Sequence, residues 1–145
     1  MQHRDLIESA ASLTTPGPLS IAEYSEKKNL LTELVNSSLA MRPDLTFLVG
    51  IEGRRLSEEY NRHFALLMES LFLHHNPQAL VDNTLWAYKT YYRQGFDPEY
   101  WETNIKMWMT AAKTVLSDRC IDELLGFYQW LLNHKENFID LSDST

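Results

Sequence analysis

The chain has 145 residues, 44% of them hydrophobic, 12% aromatic and 23% charged, which is enough apolar material for one buried core and too much for a disordered segment. Twenty acidic against 13 basic residues give a formal charge of -7; this repels a phosphate backbone, and the isolated doublets Lys27-Lys28 and Arg54-Arg55 build no basic face, which argues against nucleic acid. A single cysteine, Cys120, forms neither an internal disulfide nor a thiolate metal site and points to a reducing, cytoplasmic setting.

The first residues, Met1 to Leu6, carry charges where a signal peptide keeps its apolar stretch, and no run of about 18 apolar residues marks a membrane span. Without repeat, low-complexity tract or long linker, residues 1–145 read as one domain. A short amphipathic helix over His3 to Leu13 is stopped by Thr14-Thr15-Pro16-Gly17-Pro18. Ser20 followed by Glu23 has the spacing of a reciprocal cap for a second helix, whose stripe of Leu31, Leu34, Val35 and Leu39 runs to Met41-Arg42-Pro43. Asp44 is placed to cap a short turn through Leu45, Leu48 and Val49, bounded by Gly50 and Gly53. From about Leu56 a stripe of Tyr60, His63, Phe64, Leu67, Met68, Leu71 and Phe72 predicts a long helix. Asn76-Pro77 ends it and opens the next, which carries Leu80, Val81, Leu85, Tyr88 and Tyr91 or Tyr92 to Gly95.

Asp97-Pro98-Glu99 opens an aromatic helix through Trp101, Ile105, Trp108, Ala112 and Val115. After Ser117-Asp118, a last helix uses Ile121, Leu124, Leu125, Tyr128, Leu131, Leu132 and Phe138, with Asp140 to Thr145 as a polar tail. No segment alternates as a half-buried strand does. The expected fold class is all-α.

No local motif carries catalysis: there is no nucleophile elbow, phosphate-cradling loop or dinucleotide fingerprint, so no enzymatic activity and no catalytic residues are expected. Glu59 and His63 share a helical face but lack a third ligand, and consecutive His74 and His75 point about 100° apart, so no metal is expected; near a helix end they suit its C-terminal dipole. Cys120 lies at a helix start whose dipole lowers a thiol pKa, against an adjacent Asp118 that raises it. The aromatics are more informative. Tyr88, Tyr91, Tyr92, Phe96, Tyr100, Trp101 and Trp108 gather at one helix corner, either as a solid core or, with His63 from the preceding helix, as the lining of a ligand pocket.

The segment Tyr91-Tyr92-Arg93-Gln94-Gly95-Phe96-Asp97-Pro98-Glu99-Tyr100-Trp101 resembles the corner between the sixth and seventh helices of globin-coupled sensors, with Arg93, Gly95, Pro98, Tyr100 and Trp101 matching the family pattern. The helix order agrees, and 145 residues is the length of one globin without an attached output domain. The resemblance implies a globin-like bundle of about six to seven helices. Where the family's haem-ligating His stands, four residues before the glycine, this chain has Tyr91, and no histidine lies between Pro77 and Lys113. The chain is therefore more similar to the haem-less globin-like domains of stressosome-type proteins. That implies a regulatory sensor with no cofactor, working through a protein partner and a homodimer. Trp130, Leu131 and Leu132 make the final helix apolar on more than one side and are the expected dimer interface. The alternative is a ligand-binding protein holding Tyr-ligated haem, another tetrapyrrole or a fatty-acid-like molecule in the same volume.

Overall fold

Three helix starts follow from a local device. In a computed structural model describing residues 1–143, Asn76 accepts the Ala79 N–H at 3.0 Å ahead of Pro77. Ser117 accepts the Cys120 N–H at 3.3 Å. Asp97 accepts the Glu99 N–H at 2.9 Å. These side chains satisfy amides that have no partner inside the helix. Gly95 ends its helix with φ +99°, a conformation in which a side chain would clash with its own backbone.

The described residues form eight α-helices and no strand: α1 (His3–Ala10), α2 (Pro18–Ala40), α3 (Leu45–Val49), α4 (Arg54–Leu73), α5 (Pro77–Arg93), α6 (Glu99–Val115), α7 (Asp118–Asn133) and α8 (Lys135–Asp143). None is long and apolar enough to cross a membrane. Helix α2 lies across α4 and α6 and also meets α7, α6 pairs with α7, and α5 packs on α1 and α8. Buried residues from all eight join one apolar cluster, with Tyr24, Met68, Phe72, Tyr100, Trp108 and Tyr128 at its centre.

Four sequence expectations are corrected. Ser20 does not cap α2: Pro18 begins the helix with Gly17 as its cap residue, and Ser20 is buried within the first turn. Glu23 instead reaches across to α7 and accepts the Ser117 N–H at 2.6 Å and its hydroxyl at 2.7 Å. In the opposite direction, Glu123 of α7 accepts the Gly17 N–H at 2.5 Å. Asp44 precedes α3 but makes no side-chain cap, because Arg42 takes both of its oxygens at 2.9 Å.

The third correction concerns the last helix, which splits at His134 and so gives eight helices among the described residues where about six to seven were expected. The imidazole stacks on Trp130 at 4.4 Å, and its Nδ1 lies 2.8 Å from the Trp130 carbonyl. The chain then turns so that Phe138 of α8 meets Tyr88 and Trp130. Finally, Asp140 to Asp143 belong to α8 instead of a tail; Ser144 and Thr145 lie outside the described residues. In the α3–α4 turn, a Cβ on Gly53 would stand 1.7 Å from the Val49 carbonyl oxygen, so only glycine permits the two helices to meet there.

Candidate functional site

Helices α4 and α5 make little direct backbone contact, and rings bridge the space between them. Tyr60 of α4 meets Tyr91 of α5 edge-on at 5.3 Å and Trp101 of α6 at 5.2 Å. Tyr88 stacks on Trp101 at 4.4 Å with 16° between planes, and on Phe138 of α8 at 5.4 Å. Phe96 closes the corner against Tyr91 at 5.1 Å and Tyr100 at 4.8 Å. Edge-to-face and offset pairs at these distances are the arrangements that ring quadrupoles favour. A cleft at the margin, between Tyr88, Tyr92, Phe96, Trp101 and Ile139, has a volume of about 10 Å³, the size of one water and far below the several hundred Å³ of a ligand pocket.

Of the eight residues expected to line a pocket, Tyr88, Tyr91, Phe96, Tyr100 and Trp101 come together, and they fill the volume with one another. Trp108 lies deeper, against Phe64 at 5.2 Å. Tyr92 is 59% exposed. His63 is exposed on the outer side of α4 and does not face the cluster. Its supposed partner Glu59 instead reaches Arg55 at 3.6 Å, and among the described residues no group of three metal-binding side chains occurs. No family model, curated protein or solved structure matched the chain.

The surroundings of Tyr91 give no help to a haem ligand. Coordination needs a phenolate, whereas burial and then the nearby Glu59 carboxylate push the Tyr91 phenol above its ordinary value. Arg93, two residues further on, is exposed and does not contribute to that shift. Tyr60, Trp86, Phe96 and Trp101 surround the Tyr91 ring.

Sequence reasoning missed a polar chain beside this aromatic layer. Asn61 of α4 is fully buried and accepts from Trp108 Nε1 at 3.0 Å and Asn104 Nδ2 at 2.9 Å. Its own amide donates to Asn36 of α2 at 2.9 Å. Alongside it, the Tyr100 and Ser57 hydroxyls lie 2.6 Å apart. These bonds lock α2, α4 and α6 in one register, because a slip would strand buried polar groups. Asn61 lies three residues before Phe64 and seven before Met68, so its place on the buried stripe was visible although its residue type reads as surface.

The expected dimer residues turn inward. Trp130 and Leu131 are buried in the chain's own core and Leu132 is partly buried against it. Trp130 meets Phe138 of α8, and its Nε1 donates to Ser9 Oγ of α1 at 3.0 Å. His134 Nε2 stands 3.5 Å from the same oxygen. With its other nitrogen at the Trp130 carbonyl instead of a carboxylate, this trio pins a helix and lacks the polarising partner of a nucleophile. His75 plays a similar part: Nε2 lies 2.8 Å from the Ala10 carbonyl and the ring meets Phe127 edge-on. Cys120 is buried, its thiol directed at the Ser20 carbonyl, and burial pushes it up to about 11, which leaves it protonated and unreactive at neutral pH.

Proposed function

We propose that this chain is a non-haem, globin-like regulatory domain that acts through protein contacts, as a homodimer that a partner protein reads. One observation carries the reading: the space between α4 and α5, where a globin keeps its cofactor, is occupied by Tyr60, Tyr88, Tyr91 and Trp101. The order of packing, with α2 across α4 and α6, α6 on α7 and α5 on α8, supports the globin-like part. So does the α5–α6 corner, where Gly95 turns the chain and the Asp97 N–H donates to the Leu48 carbonyl at 2.8 Å.

A domain with no ligand signals through its surface, and this one leaves Met41, Phe47 and Ile51 in solvent at 84%, 64% and 90% exposure around the α2–α3–α4 corner. Large apolar side chains of this kind are what partners cover. The reading includes no catalysis. Light scattering across a wide concentration range tests it: a mass of two chains is expected, and a strict monomer at high concentration removes the dimer from the account.

A further inference from the structure

With Trp130 and Leu131 buried inside the chain, a dimer needs another face. The groove between α2 and α4 has a volume of about 390 Å³, with Thr32, Asn36, Ala65 and Leu66 among its lining residues and Lys28, Glu33 and Arg62 carrying its charge. Two of its polar groups are bonded within the chain: the Thr32 hydroxyl donates to the Lys28 carbonyl at 2.8 Å, and Asn36 accepts from Asn61. Ala65 and Leu66 supply the apolar side chains of the groove. Leu66 and Leu73, seven residues apart on α4, and Leu30 on α2 remain about half exposed at 56%, 52% and 50%. A seven-residue step returns to nearly the same side of a helix, which is the spacing of a helix–helix seam.

The charges decide what covers this face. The whole chain carries -7, so two copies repel except where a patch is locally balanced. Here Lys28 pairs with Glu69 at 3.3 Å. Glu33 on the α2 wall and Arg62 on the α4 wall have no ion-pair partner among the described residues. One unpaired charge of each sign on opposite walls is self-complementary under a two-fold axis, which brings residue i to j and j to i.

We propose that the α2–α4 face is the homodimer interface, with Arg62 of each copy against Glu33 of the other and the Leu66 side chains packed between. The inference rests on the dimer of the proposed function and names its surface. Sedimentation velocity on the full chain with Glu33→Arg, Arg62→Glu and their equimolar mixture tests it. Both positions are at the surface, and an unchanged urea midpoint verifies that each variant folds. Each variant alone is expected to dimerise at least about tenfold more weakly than wild type, through like charges brought face to face. The mixture restores the dimer, because the groove of one variant then carries an arginine on both walls and meets a groove with a glutamate on both walls. Dimerisation unchanged in both variants overturns the α2–α4 interface and leaves the dimer standing on another face. A wild-type monomer at all concentrations overturns the interface and the dimer together.

Discussion

Asn61 concentrates the cost of folding into one side chain. It is wholly buried and serves Trp108, Asn104 and Asn36 at once. Asn61→Leu leaves two buried donors, Trp108 Nε1 and Asn104 Nδ2, without their acceptor, at about 1–3 kcal/mol for each group. A loss of about 3 kcal/mol or more in urea unfolding is expected; a loss under about 1 kcal/mol would mean that water reaches these groups. The same residue marks a limit of sequence reading. A polar side chain on a buried stripe becomes interpretable only when its partners, 25 and 43 residues away in the chain, are seen beside it. His63 erred the other way: it falls on the periodic stripe of α4, yet that stripe is narrower than the pattern implied and the ring lies outside.

The helices are held at their ends as much as along their sides. Glu23 caps α7 from α2, and Glu123 caps α2 from α7. Glu23→Ala is expected to cost about 1 kcal/mol, in line with other lost caps. Both carboxyls are held below their ordinary value, chiefly by backbone amides, that of Ser117 for Glu23 and that of Gly17 for Glu123. A depressed folded-state pKa contributes stability that is complete above the unfolded-state value of 4.5 and is lost as pH falls through the folded one. The double variant Glu23→Ala/Glu123→Ala therefore loses less stability than wild type between about pH 5 and pH 3, measured by urea midpoints. Equal acid sensitivity contradicts the cross-capping.

Glycines give a second contrast at this scale. Gly53→Ala drives a methyl into the Val49 carbonyl and should cost more than about 3 kcal/mol or prevent folding. Gly126, inside α7 with open space around its Cβ position, should gain about 0.5–1 kcal/mol as alanine. Thermal unfolding of both variants checks the pair. The starts at Asn76-Pro77, Asp97-Pro98 and Ser117 were readable because each cap acts within a few residues. The α2 cap and the break at His134 were not, since one partner lies 106 residues away and the apolar period runs through the break.

Across the molecule, the all-helical class was legible in the 3.6-residue periodicity, and the aromatic gathering at the α5–α6 corner in the sequence from Tyr88 to Trp108. Whether that gathering encloses a ligand was not, because the same residues line a pocket or fill it depending on small differences in helix spacing. Tyr60 of α4 and Phe138 of α8 complete the packing from outside the segment. In the same way the two-sided apolarity of α7 was real, and α2, α6 and α8 of the same chain pack against this helix, with Trp130 and Leu131 buried.

Titration of the purified protein with hemin tests the proposal that this layer of rings stands in place of a cofactor. The account predicts a Soret band that stays that of free hemin and no saturable quenching of the fluorescence of Trp101 and Trp108. A one-to-one complex with a shifted Soret band, lost in Tyr91→Phe, would contradict it.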